Sequence, residues 1–135
     1  MDKKLILAVD DEPSILLAVD DTLNETYSVI TAKNGKEAVK MAEKHRPDLV
    51  ILDVMMPEMD GFTAIKEIRK ILAPSAPPVI FLSAKSGMAD IEHGIELGGF
   101  DYVTKPFSPM KLLKKVDEVM ERMETRRIIQ QKKKI

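Results

Sequence analysis

Leu5-Ile6-Leu7-Ala8-Val9-Asp10-Asp11-Glu12 is an uninterrupted apolar run that stops abruptly at three acids. A run this short, without polar alternation, is what a parallel strand covered on both faces requires. The same design repeats outward from it. Tyr27-Ser28-Val29-Ile30-Thr31, Leu49-Val50-Ile51-Leu52, Val79-Ile80-Phe81-Leu82 and the weaker Asp101-Tyr102-Val103-Thr104 are further strand-length runs. Between them apolar residues recur three or four apart: Ile15, Leu16, Val19 and Leu23; Ala38, Val39 and Ala42; Phe62, Ile65, Ile68 and Leu72; Met88, Ile91 and Ile95. These spacings predict four amphipathic helices. A fifth begins with Ser108 as N-cap and Pro109 at the first helical position, and its stripe of Leu112, Val116, Val119 and Met123 is the clearest of all.

Strand and helix alternating five times predicts right-handed crossovers and a five-stranded parallel sheet with helices on both faces. The expected fold class is α/β, doubly wound, with strand order 2-1-3-4-5. Ligands of such sheets bind beyond the carboxyl ends of the strands, where the strand order reverses. The polar chemistry converges on that edge. Strand one ends in Asp10-Asp11-Glu12, strand three in Asp53, strand four in Ser83 and strand five in Thr104-Lys105-Pro106.

If strands one and three are neighbours, Asp10, Asp11 and Asp53 meet, and packed carboxylates resist ionisation unless a cation intervenes. A hard, oxygen-seeking ion is implied. Magnesium suits best, with manganese as the substitute, because it takes one or two carboxylates and is completed by water and phosphate oxygens. The bland alternative makes Asp11 a cap for the helix near Pro13 and Asp53 a polar strand end.

Composition narrows the classes further. The 135 residues suit one domain, 44% hydrophobic and 32% charged residues suit a folded chain, and the absence of cysteine removes disulfides, thiolate metal sites and a cysteine nucleophile. The apolar runs fall far short of the roughly 20 residues that span a bilayer. No membrane span and no secretory signal is expected, so a cytoplasmic protein is the default. The net charge of −1 hides an asymmetry: residues 122–135 carry +5, and residues 1–121 carry −6. An acidic body is the wrong sign for nucleic-acid binding. The expected division is a domain over residues 1–121 and a basic extension of helix five, linker or tail over 122–135, with a helical extension ending near Arg127. Nothing after residue 121 could form a DNA-binding module, so no direct DNA-binding domain is expected, and the chain reads either as a single-domain regulator or as a domain cut from a longer chain. His45 and His93 lie on different predicted helices without companion ligands and read as surface residues.

Leu52-Asp53-Val54-Met55-Met56-Pro57-Glu58-Met59-Asp60-Gly61 resembles the phosphorylation-site segment of response-regulator receiver domains in two-component signalling, the chemotaxis-regulator-like superfamily. Val9-Asp10-Asp11-Glu12 resembles the acidic opening of that family. Phe81-Leu82-Ser83-Ala84 and Tyr102-Val103-Thr104-Lys105-Pro106-Phe107 resemble its remaining two motifs. The likeness runs from residue 4 to about 121, with all four motifs in order, and implies the flavodoxin-like (βα)5 receiver fold.

The resemblance also implies roles. Asp53 would be the phosphoacceptor; Asp10, Asp11, Asp53 and the backbone carbonyl of Met55 would hold magnesium; Ser83 and Lys105 would bind the phosphoryl group. Lys105-Pro106 would be a cis peptide. Ser83 and Tyr102 would form the switch that carries phosphorylation to the surface of helix four, strand five and helix five, for homodimerisation or contact with an effector. The phosphodonor would be a sensor histidine kinase, a phosphotransfer protein or a small phosphodonor. The protein would catalyse its own phosphorylation without being an enzyme in the ordinary sense. Met55 and Lys85, two residues beyond Asp53 and Ser83, would set a slow autodephosphorylation, since a thioether cannot orient water as an amide can.

Two other classes share parts of this pattern. A flavodoxin-like electron carrier has the sheet, but its first loop cradles phosphate with hydroxyl and glycine residues, where this chain has three acids. A haloacid-dehalogenase-type phosphatase uses an aspartyl nucleophile, but it places a second aspartate two residues on, where this chain has Met55. A pseudo-receiver would usually have lost an acidic or lysine position, and all are kept here.

Overall fold

Alternation along the strands decides how the molecule is layered. In a strand, successive side chains point to opposite faces. In the computed structural model, which describes residues 3–84 and 101–133, Leu7, Val9, Val50, Leu52, Val79 and Phe81 join one hydrophobic core. Their neighbours Ile6, Ala8, Leu49, Ile51, Ile80 and Leu82 join another on the opposite face. Both faces are therefore apolar and both must be covered, which explains the unbroken runs in the sequence.

The strands are β1 (Leu5–Val9), β2 (Ser28–Ala32), β3 (Leu49–Asp53), β4 (Val79–Ala84) and β5 (Asp101–Lys105). All neighbouring pairs are parallel and the order is β2-β1-β3-β4-β5. This is the expected doubly wound flavodoxin-like sheet. α2 (Gly35–His45) and α3 (Gly61–Leu72) cover the first face through Ala38, Ala42, Ala64, Ile65, Ile68 and Leu72. α1 (Pro13–Leu23) and a C-terminal helix (Pro109–Lys133) cover the second through Val19, Leu23, Leu112, Val116 and Val119. The helix expected around Met88, Ile91 and Ile95 lies outside the described residues, as do His93 and Lys85.

Local chemistry sets the helix starts near the carboxyl edge of the sheet. Pro13 opens α1 with a preset φ. Asn34 caps α2 by accepting from the Glu37 amide at 2.8 Å, and Asp60 caps α3 by accepting from the Thr63 amide at 2.8 Å. Ser108 Oγ accepts from the Lys111 amide at 3.3 Å at the start of the C-terminal helix. That helix continues to Lys133 rather than ending near Arg127. No glycine or proline interrupts it, and Arg127 pairs with Glu124 one turn back at 2.6 Å, a spacing that favours helix. Among the described residues no helix is long and apolar enough to cross a membrane.

Candidate functional site

β1 and β3 are adjacent, so their carboxyl ends deliver Asp10 and Asp53 to one spot. Asp10 follows β1 directly, and Asp53 is the last residue of β3, opposite Leu82 of β4. Both are buried, at 1% and 4% exposure, an unusual place for two carboxylates. Lys105, the last residue of β5, is aligned with Ala84 and reaches across the strand ends. Its Nζ lies 2.8 Å from Asp10 Oδ2, 3.3 Å from Asp53 Oδ2 and 3.7 Å from Glu12 Oε1. One ammonium thus bridges the ends of β1, β3 and β5. The Lys105–Pro106 peptide bond is cis, as is Ala73–Pro74.

The electrostatics follow from this crowding. Burial pushes the Asp53 carboxyl up to about 6, and the neighbouring Asp10 charge adds to the rise, while Lys105 and the Met55 amide offset part of it. Burial also raises the Asp10 pKa against the pull of Lys105 and the Glu12 amide. For Lys105 burial acts to lower the pKa, but its hydrogen bond and charge contacts with Asp10 and Asp53 win, and the ammonium is held above its ordinary value. Among the described residues one cation, Lys105, faces two buried anions, Asp10 and Asp53.

The carboxylate oxygens of Asp10, Asp11 and Glu12 lie within 4.8 Å of one another. Asp10 Oδ2 is buried, and the Lys105 ammonium stands 2.8 Å from it. Asp10 Oδ1 accepts from the Glu12 amide at 3.0 Å. Three carboxylates whose oxygens crowd this closely form a set of hard oxygen donors, which fits a divalent cation. Asp53 is not a member of that trio of oxygens; it meets it through Lys105. Glu12 received no ligand role from the sequence, although its place two residues beyond Asp10 was the available signal. Asp11 makes no cap to α1: Glu12 occupies the N-cap position, and no side chain caps there.

The remaining residues gather on the same edge with differing exposure. Ser83 is buried at 3% near the end of β4 and is aligned with Thr104 of β5. Met55 is 73% exposed in side chain, while its amide donates to Asp53 Oδ1 at 3.2 Å. Tyr102 is half-buried against the core under α2 and α3, and its amide donates to Asp101 Oδ1 at 2.9 Å. His45 ends α2 in an exposed position, away from these groups.

Comparison with known proteins places this geometry in a family. The model of the response regulator receiver domain matches residues 6–117. The alkaline phosphatase synthesis transcriptional regulatory protein PhoP of Bacillus subtilis (strain 168) is 44% identical over 127 residues, covering 92% of this chain and 51% of that protein. The probable transcriptional regulator ycf27 of Cyanophora paradoxa is 43% identical over 125 residues, again covering 92% of this chain and 51% of that one. Among solved structures, the chemotaxis protein CheY4 of Vibrio cholerae superposes with a TM-score of 0.81 at 36% identity, covering 87% of this chain and 98% of that one.

These findings overturn one expectation, that no direct DNA-binding domain takes part. The chain spans about half the length of the curated relatives it matches, and those relatives are named as transcriptional regulators. Finding no room for such a module after residue 121 describes this stretch alone, not the regulators built on it. The fold, the match over residues 6–117 and relatives above 40% identity across nine-tenths of the sequence agree: the chain belongs to the response-regulator receiver domain family.

Proposed function

We propose that this receiver accepts a phosphoryl group on Asp53 from a phosphohistidine of a sensor histidine kinase, or from a small phosphodonor, in a magnesium-dependent reaction. The observation that carries the reading is Lys105 Nζ, held 2.8 Å from Asp10 and 3.3 Å from Asp53 at the carboxyl edge of a parallel sheet. An ionised Asp53 oxygen attacks the donor phosphorus. The new O–P bond forms as the donor N–P bond breaks, and the histidine nitrogen leaves with the electron pair and takes up a proton from water. With its pKa near 6, Asp53 is mostly ionised at neutral pH and so available as the nucleophile.

Lys105 supplies positive charge to the incoming phosphoryl oxygens, and Ser83 supplies a hydroxyl to one of them, so the chain contributes positioning and electrostatics. Asp10, Asp11 and Asp53 with the Met55 carbonyl would hold magnesium, whose charge would neutralise the phosphoryl group. Glu12, within reach of Asp10 and Asp11, adds negative charge to the same place.

The phosphoryl group offers strong acceptor oxygens, and the Ser83 hydroxyl gains by turning toward them. Tyr102, on the neighbouring strand, then relays the change to the exposed side of β5 and the C-terminal helix, where the signal is read. Population of the active state is set by the difference in phosphoryl contacts between two pre-existing arrangements. A cytoplasmic location, where the kinase domains that supply phosphohistidine operate, accompanies this reading.

Incubation with acetyl phosphate and measurement of intact mass tests it. One phosphoryl addition is expected with magnesium and none with EDTA. Equal labelling in EDTA would remove the metal from the reaction, and no labelling with any donor would remove the reaction itself.

A further inference from the structure

Gly35 opens α2, directly after its cap Asn34. Glycine is disfavoured in helices for its conformational entropy, so its presence calls for a spatial reason. The reason is Met59, from the loop between β3 and α3. A Cβ placed on Gly35 would sit 2.8 Å from both Cβ and Cγ of Met59 and 2.9 Å from its Sδ. Because Met59 Cβ is fixed to its own backbone, no rotamer change clears that clash. The bare backbone of Gly35 is the seat on which Met59 rests, and Met59 is in turn packed against the core under α2 and α3.

Met59 also closes a strained turn. Its amide donates to the Pro57 carbonyl at 2.8 Å, a three-residue turn, and Glu58 at its centre has φ of 68°. A non-glycine residue at such an angle is strained and persists where its surroundings hold it. Each end of this loop also carries a hydrogen bond. Upstream, the Met55 amide donates to Asp53 Oδ1 at 3.2 Å. Downstream, the Gly61 amide donates to the Val54 carbonyl at 3.0 Å. The middle is held by Met59 on Gly35.

We propose that Gly35 is a positioning residue for phosphoryl acceptance at Asp53: by seating Met59 on α2 it holds the strained turn at Glu58, and so fixes the loop whose Met55 backbone meets the acceptor carboxylate. The inference rests on the reading of Asp53 given above. A side chain at position 35 pushes Met59, Met59 pulls on the Pro57–Glu58 turn, and the Met55 backbone loses its place beside Asp53. Nothing in this chain of contacts touches the donor, so the effect falls on the rate of phosphorylation and not on whether Asp53 is its site.

A double-substitution cycle tests it. Gly35→Ala, Met59→Gly and the pair are compared with the parent for the rate of labelling by acetyl phosphate at saturating magnesium, beside a urea unfolding curve for each. Gly35→Ala is expected to slow labelling about tenfold, within the roughly hundredfold that a 1 Å misplacement can cost. In the Met59→Gly background the same substitution is expected to do nothing further, because the atoms it strikes are gone. Equal slowing in both backgrounds, or no slowing by a folded Gly35→Ala, would overturn the proposal. If Gly35→Ala does not fold, Met59→Ala decides alone: it removes the side chain beyond Cβ and leaves the backbone as restrained as before, so that a parental rate from it overturns the role of the seat, while a slowed rate supports it. Failure of the underlying reading is distinguishable, since the parent itself would then remain unlabelled.

Discussion

Asp53→Asn should make the metal-free protein more stable at neutral and alkaline pH. Asparagine has the shape of a protonated carboxyl, and the protonated form is the one this site prefers: the Asp53 pKa stands at about 6 against an ordinary 3.8. The folded state therefore binds this proton more tightly than the unfolded state, and ionised Asp53 opposes folding. At 1.36 kcal/mol per pH unit of separation, the cost at pH 8 is at most about 3 kcal/mol. The cost is fully present above the folded value, shrinks as pH falls through 6, and is gone below 3.8. Urea unfolding in EDTA at pH 8 should show the variant more stable by about 1–3 kcal/mol, which for a domain of this size raises Tm by roughly 5–10 °C. At pH 5 about half of the gain should remain, and at pH 4 little. Magnesium should narrow the gap at pH 8, because a cation relieves the repulsion that the substitution removes. A variant less stable than the parent at pH 8, or a gain independent of pH, would refute the picture of an under-neutralised acidic site.

Three further outcomes are expected. Lys105→Ala should keep Asp53 as the labelled residue but slow labelling by at least about tenfold, as removal of one well-placed charge-stabilising group does; an unchanged rate would show that the ammonium does not meet the phosphoryl group. Met55→Asn should shorten the lifetime of the phosphorylated form, followed as loss of the added mass after donor removal, because an exposed thioether gives water no partner and an amide does; equal lifetimes would contradict this. Asp60→Ala removes the cap on the Thr63 amide and should cost about 1 kcal/mol in urea unfolding, a loss below about 0.3 kcal/mol being inconsistent with the bond.

The centre of the sheet was legible because β1, β3 and β4 are buried on both faces and leave unbroken apolar runs, as Leu5–Val9 and Leu49–Leu52 do, while the edge strands β2 and β5 are partly exposed and read more weakly. The order β2-β1-β3-β4-β5 is an expectation of the doubly wound class, and the structure has the same order, with Asp10 and Asp53 on adjacent strands. Other features depend on distances that no motif reports. Lys105 lies closer to Asp10 than to Asp53, and Glu12, not Asp53, completes the trio of carboxylate oxygens. Gly35 reads in sequence as an ordinary turn glycine after Asn34; its contact with Met59 joins residues 24 positions apart and appears only once α2 and the β3–α3 loop are packed together. The end of the C-terminal helix was misplaced because beyond Met123 the residues are exposed, so no burial stripe marks a boundary.

The central claim is that Asp53 itself carries the phosphoryl group, and reductive trapping tests it most directly. The protein is phosphorylated with acetyl phosphate and magnesium, treated with borohydride, which converts an aspartyl phosphate to homoserine, and sequenced by tandem mass spectrometry. Homoserine at position 53, absent from the EDTA control and from Asp53→Asn, is the expected result. Homoserine at Asp10 or Asp11, or 5-hydroxynorvaline at Glu12, instead, or an unmodified Asp53 in protein that has gained one phosphoryl mass, would contradict it.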